Sequence, residues 1–325
     1  MKIPRIEDTD IAGKKVLLRA DLDVGENNKD MFRLKALIPT LKFLKDKDCD
    51  VILIGHKGRP GGKEVDKYSL EPVSKKIEEL LRQEWGEEEM KKLKMNMMEN
   101  LRFSEGEESN DDHYAMHLAE EGEFYVNEDF AVSHREHASI VSLPRYLPHA
   151  AGIRFMEEID NLSKVFNADG PIVVIIGGVK EDKTQYIEGL KGFADKVLVA
   201  GRLPDYLPED INDPKLVVAK LVPDKEDITV RSIEMFVDEI AEAKTIVVAG
   251  PMGKYEEDGH GMGTQRVLTS ASESQAMKIS CGGDTATALH KFGLVDKFDW
   301  VSVGGGASLE FLIKRALPGI DALLN

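Results

Sequence analysis

Cysteine is nearly missing from this 325-residue chain, which holds only Cys49 and Cys281. Two cysteines cannot form a disulfide framework, so a reducing cytoplasm is the expected setting. Proline and glycine, 13 and 28 residues, are too few for a collagen-like or low-complexity chain. No apolar run approaches the ~18 residues of a membrane helix; the longest, around Pro171–Ile176, has strand length. The opening MKIPRIEDTD lacks the basic-then-apolar pattern of a signal peptide. Cations are also short, with 43 Lys and Arg against 59 Asp and Glu and a formal charge of −16. The acidity is spread over both halves, which offers no basic face to nucleic acid. An anionic ligand must therefore be held by a local cluster of cations. Screening of exposed charges beyond ~8 Å makes that feasible.

What is present is a globular composition, 42% hydrophobic and 31% charged, at a length that suits two domains. Short β-branched runs followed by glycine-rich turns occur at Lys15–Ala20, Asp50–Ile54, Phe124–Asn127, Pro171–Ile176, Lys196–Ala200, Leu216–Ala219, Lys244–Ala249 and Trp300–Val303. Helical periods lie between them, from Arg33–Lys45 to Ser308–Leu317. Near-continuous apolar strands alternating with helices predict parallel sheets covered on both faces. Eight strands also fit one closed barrel, the rival architecture. The segment RFMEEIDNLSKVFN (Arg154–Asn167) has helical spacing and precedes Ala-Asp-Gly-Pro and a fresh strand. That favours two doubly wound domains with a connecting helix.

In the first half, cations sit on loops just after strands: RADLDV (Arg19–Val24), GHKGRPGG (Gly55–Gly62), ENLRF (Glu99–Phe103) and EDFAVSHREHAS (Glu128–Ser139). Open α/β sheets bind ligands outside the carboxyl ends of their strands. His56, Arg59, Arg102, His134, Arg135 and His137 all fall there, and Arg33 begins a helix. Each alone reads as a surface arginine or a capping histidine. Together they suit a substrate with several negative charges, since Arg presents a planar fork to phosphate or carboxylate.

The second half carries glycine turns that open helices or follow strands: GGVKEDK (Gly177–Lys183), GPMG (Gly250–Gly253), CGGDTATAL (Cys281–Leu289) and GGGASLE (Gly304–Glu310). One such turn is an ordinary tight connection. Four in one domain suggest a polyphosphate held by backbone N–H groups and helix dipoles. Neither a Walker pattern nor a strand-linked GxGxxG is present. Asp284 reads either as a helix N-cap or as a carboxylate for Mg²⁺, directly or through water.

In this order, RADLDV, GHKGRP, ENLRF, HREHAS, GGVKEDK, GPMGKYE, GGDT and GGGASLE resemble the signature segments of the phosphoglycerate kinase family, from about Ile6 to Leu323. The resemblance implies an α/β fold of two doubly wound parallel-sheet domains joined by a helical hinge. Residues 1–153 would bind 3-phosphoglycerate or 1,3-bisphosphoglycerate, with the tail 316–325 packing back on them. Residues 154–168 would form the linker, and 169–315 would bind Mg-ADP or Mg-ATP. It further implies a monomer acting on small molecules, with no nucleic-acid or membrane partner. By resemblance, Asp21, Asp23, Arg33, His56, Arg59, Arg102, His134 and Arg135 take substrate positions. Gly178, Lys180, Lys183, Glu256, Gly282, Gly283, Asp284 and Thr285 take nucleotide positions. Arg33, Lys183 and Gly304, Gly305 and Gly306 take catalytic ones, with Asp284 toward Mg²⁺.

The chain departs from the family's pattern in places. Asp23 stands for the usual Asn, Lys180 and Lys183 are three apart instead of four, and Ala249 replaces an Asn. The stretch from Lys183 to Gly250 is short, leaving DITVRS (Asp227–Ser232) where an enclosing turn is usual. Two rivals follow: a catalytically impaired phosphate-binding relative with an interaction role, and a two-domain nicotinamide dehydrogenase. The missing GxGxxG argues against the second.

Overall fold

The computed structural model describes residues 2–25, 31–208 and 210–324. They form two compact units, Met1–Ile159 with Ala316–Asn325, and Asp160–Arg315.

The first unit is built on a five-stranded sheet of order β3-β2-β1-β4-β5, with every pairing parallel. Its strands are β1 (Lys15–Arg19), β2 (Asp50–Ile54), β3 (Lys94–Met97), β4 (Phe124–Asn127) and β5 (His149–Ala151). The chain winds outward from β1 to β3, then returns to place β4 on the other flank of β1. The ends of β1 and β4 therefore form a switch point, where loops diverge and leave a crevice. The helix Glu71–Trp85 buries Val73, Ile77, Leu80 and Leu81 at helical spacing and stops at Gly86, whose φ of 81° an L side chain resists. Residues of the returning tail belong here: the Gly319 amide donates to the Ser133 carbonyl at 2.9 Å.

The second unit has a six-stranded parallel sheet of order β11-β10-β9-β6-β7-β8. Its strands are β6 (Ile172–Ile176), β7 (Lys196–Val199), β8 (Leu216–Val218), β9 (Thr245–Ala249), β10 (Met277–Cys281) and β11 (Trp300–Ser302). Strands β6 and β9 are buried at every residue, as a central position between two helix layers demands. The switch point lies between them. Helix Val230–Glu242 is capped by Thr229, whose hydroxyl accepts from the Ser232 amide, and buries Ile233, Phe236 and Ile240.

Two open sheets replace the closed-barrel alternative. The connecting segment is a helix over Ile153–Leu162 followed by a 3-10 turn over Ser163–Asn167, and the boundary between the units falls inside that helix. No helix among the described residues is long and apolar enough to cross a membrane.

Candidate active site

Arg19, the last residue of β1, is fully buried and organises the first crevice. Its Nη1 donates to Asp129 Oδ2 and to the Ala20 carbonyl, both at 2.7 Å, and its Nε donates to Ser139 Oγ at 2.9 Å. The Nη2 lies 3.1 Å from His56 Nδ1. A guanidinium only donates, so Nδ1 carries the lone pair and the proton of neutral His56 sits on Nε2. That nitrogen is 4.0 Å from Asp23 Oδ2. Asp23 in turn accepts the Gly58 amide at 2.9 Å, which pins the loop after β2 to the loop after β1. Asn100 holds the same loop from the other side. Its Nδ2 donates to the carbonyls of Lys57 and Tyr68, while its Oδ1 accepts the Arg102 amide.

Arg102 is buried, donates to the Gly58 carbonyl at 2.7 Å and lies 3.3 Å from Glu108. Its Nη2 is shielded and has no hydrogen-bond partner among the described residues. A desolvated donor of this kind is costly unless an anion completes it. Burial, then Arg19, Arg102, His137 and Arg135, hold His56 well below its ordinary range. Burial, with Arg102, Arg19 and Arg135 close by, pushes His137 down to about 3. Both imidazoles are thus neutral donors at pH 7, and the positive charge belongs to the arginines.

The sign of the pH effect follows. Each depressed histidine contributes stability above its unfolded value near 6.5, lost as pH falls through the folded value, about 3 for His137. In an NMR titration the His56 and His137 ring signals are expected to stay flat between about pH 5.5 and 8. A midpoint above about 6 for either would contradict this electrostatic picture.

Arg33, in the helix Met31–Ala36, reaches Asp21 with one nitrogen, 3.1 and 3.0 Å from the two carboxylate oxygens. Arg33 is thus an ion-paired residue and not an isolated surface arginine. Arg135 and His134 are half-buried, and Arg135 adds to the field on His56, Arg102 and His137. Arg59 stands apart, exposed and without a hydrogen bond or ion pair among the described residues. Arg19, Asp129 and Asn100 lie at the centre of the geometry, inside motifs whose local spacing does not mark them.

In the second unit, Lys183 donates from Nζ to the Gly177 carbonyl at 2.8 Å and lies 3.4 Å from the Ala249 carbonyl. Burial lowers its proton affinity and Lys180 lowers it further, whereas Asp284 opposes both. The turns after β6 and β9 meet here. Gly250 has φ 122°, and a Cβ on it would sit 2.2 Å from the Gly177 carbonyl oxygen and 2.9 Å from Lys183 Nζ. The Gly250 amide is satisfied by Thr285 Oγ1 at 2.8 Å. Gly282, the N-cap of the helix Gly283–Lys291, has φ 93°, and its missing Cβ leaves room for Gly305. The starts of Gly283–Lys291 and of Gly306–Lys314 are thereby neighbours, a paired source of N–H groups and positive dipole.

Asp284 is not an N-cap: Gly282 holds that place, and Asp284 is an exposed helical residue. Lys180 and Glu256 are likewise exposed. Asp227, passed over in the sequence except as part of DITVRS, is buried and accepts the Gly263 amide at 2.9 Å. Its Oδ1 fills the space beside Gly253 and so backs the GPMG turn. Among the described residues no cluster of three His, Cys, Asp or Glu could hold a metal ion.

Arginines gathered at the strand ends of one parallel sheet, and glycine turns opening paired helices in another, fit an α/β enzyme of phosphorylated ligands. Comparison with known proteins sharpens the class. The sequence pattern of phosphoglycerate kinase matches residues 6–207 and 209–315. The phosphoglycerate kinase of Thermosipho africanus is 35% identical over 392 aligned positions, which cover 98% of this chain and 97% of that protein. That of Sulfurimonas denitrificans is 32% identical over 396 positions, covering 100% and 99%. Among solved structures, phosphoglycerate kinase from Coxiella burnetii is similar with a TM-score of 0.78, 25% identity and 99% of both chains covered. The Pyrococcus horikoshii OT3 enzyme shares the fold with a TM-score of 0.83 at 24% identity, over 99% and 98%. The chain belongs to the phosphoglycerate kinase family.

Proposed function

We infer that the chain transfers a phosphoryl group reversibly between 1,3-bisphosphoglycerate and ADP, giving 3-phosphoglycerate and ATP. The observation that carries this reading is the buried arginine cluster around His56, with the Arg102 Nη2 left unsatisfied, in a chain of this family. An anionic substrate supplies what that cluster lacks. Its carboxylate and phosphate are assigned to Arg33, Arg59, Arg102, His134 and Arg135, and its hydroxyl to Asp21, Asp23 and His56. The nucleotide is assigned to Gly178, Lys180, Lys183, Glu256 and Gly282–Thr285.

In the ATP-forming direction a terminal oxygen of ADP attacks the acyl phosphate, and the phosphorus–oxygen bond to the acyl group breaks. The departing carboxylate, of ordinary pKa near 4, needs no proton at pH 7, so no general acid or base is required. Catalysis is positioning and charge stabilisation. Arg33, Lys183 and the helix start at Gly304–Gly306 are the groups assigned to the transferring phosphoryl. Magnesium fits this site through a single exposed carboxylate, Asp284, because the ion typically keeps waters and nucleotide oxygens as its other ligands. When bound, it neutralises phosphate charge. A cytoplasmic monomer is part of the same reading; both cysteines are buried.

A coupled assay of ATP formation from 1,3-bisphosphoglycerate and ADP tests the reading. Turnover supports it. Binding of 3-phosphoglycerate with no turnover would instead establish the impaired relative.

Asp23 supplies a second check. Its contact to the Gly58 amide needs only an acceptor oxygen, which Asn also has. Asp23→Asn is expected to leave turnover equal or higher, because it removes a negative charge beside an anionic ligand. A loss beyond about tenfold would show that the charge itself is needed.

A further inference from the structure

We propose that Tyr206 is the base-recognition residue of the second unit, its ring forming the face on which the purine of the nucleotide stacks. The inference rests on the reading that the glycine turns hold the nucleotide's phosphates, and it names the side chain at the other end of that ligand.

Large apolar side chains left exposed in this unit are Val179, Tyr206, Val230, Met235 and Met262. The last three belong to the helices Val230–Glu242 and Met262–Glu273. Val179 and Tyr206 belong to the connections after β6 and β7, and they are joined: the Tyr206 hydroxyl donates to the Val179 carbonyl at 3.4 Å. Val179 directly follows Gly178, so the ring stands beside the turn that would receive the phosphates. The two connections are tied a second time, by the Arg202 amide donating to the Gly178 carbonyl at 2.8 Å. A third tie, from the Gly201 amide to the Met252 carbonyl at 3.1 Å, reaches the connection after β9. The 3-10 turn Leu203–Tyr206 therefore presents its tyrosine, 40% exposed, from a braced backbone.

The surrounding chemistry decides which end of the nucleotide lies where. A neighbouring groove lined by Glu181, Asp182, Glu188, Lys191 and Asp213 sets four carboxylates against one lysine, itself paired to Glu188 and Asp213, and so disfavours a polyphosphate. The phosphates are left with the glycine turns and Lys183, and the base with the apolar surface of Tyr206 and Val179. An aromatic face binds any base through area and stacking, without reading its hydrogen-bonding edge. The short Lys183–Gly250 stretch removes other enclosing surface, so Tyr206 carries a large share of base affinity. Adenine and guanine are then poorly distinguished.

The test is calorimetry on the full chain with Mg-ADP, Mg-GDP and, as a base-free probe, Mg-pyrophosphate. Wild type, Tyr206→Phe and Tyr206→Ala are compared. The expected result is that Tyr206→Ala weakens ADP and GDP each by about tenfold and leaves pyrophosphate unchanged. Tyr206→Phe, which keeps the ring, stays within about threefold of wild type, and wild type prefers ADP over GDP by no more than about tenfold. Unchanged ADP affinity in Tyr206→Ala overturns the proposal, and so does an equal loss of pyrophosphate, which would mark damage to the turn. A wild type that binds neither ADP nor pyrophosphate overturns the nucleotide reading as well.

Discussion

Arg33→Met is expected to lower kcat by roughly 10²–10³ while leaving Mg-nucleotide affinity nearly unchanged, the cost of one preorganised charge donor at a transferring phosphoryl group. The ion pair with Asp21 refines what else the variant does. The Asp21 side chain is only 7% exposed, so removing its cation leaves a nearly buried carboxylate with weaker compensation. A stability loss of about 1–3 kcal/mol accompanies the kinetic one. Arg33→Lys is expected to restore part of the rate only, because it lacks the planar fork. Steady-state kinetics beside a urea melt separate the two effects. Wild-type kcat and KM in Arg33→Met would remove Arg33 from the mechanism, whatever the melt shows.

Arg19→Met carries the largest expected loss of stability, about 3–5 kcal/mol, because it strands the fully buried Asp129 carboxylate and removes the donor to His56 Nδ1. Replacing both partners with apolar residues, Arg19→Met with Asp129→Leu, is expected to recover much of it, since the stranded charge is then gone. Urea unfolding of the two single variants and the double variant measures the coupling. A loss below about 1 kcal/mol for Arg19→Met would contradict the reading of this pair as the organising contact of the crevice.

What the sequence made legible follows from burial. Strands such as Ile172–Ile176 and Thr245–Ala249 lie between two helix layers and show as unbroken apolar runs. The three strands missed are of another kind. Lys94–Met97 is an edge strand whose residues alternate between exposed and half-buried, His149–Ala151 is a three-residue edge, and Met277–Cys281 is buried only in its second half. The first long helical period breaks at Leu37, with Pro39 in the opening turn of Ile38–Asp46. Cations on turns were readable because charge after a strand is conspicuous. Arg19 falls in one of those segments, RADLDV, but its buried role is not legible there because it ends a strand and its partner Asp129 is over a hundred residues away. Asp227 was missed for a related reason: its acceptor role toward Gly263 is a tertiary contact that no local spacing encodes.

The central claim is a division of labour, with the anionic substrate on the arginine cluster of the first unit and the nucleotide on the glycine turns of the second. Hydrogen exchange, read amide by amide with each ligand added separately, tests it most directly. The account predicts that 3-phosphoglycerate slows exchange around Gly58, Arg102 and residues 133–139, and leaves residues 177–183, 250–253 and 282–285 unchanged. Mg-ADP is predicted to give the reverse pattern. Protection of the glycine turns by 3-phosphoglycerate, with none at the arginine cluster, would contradict it.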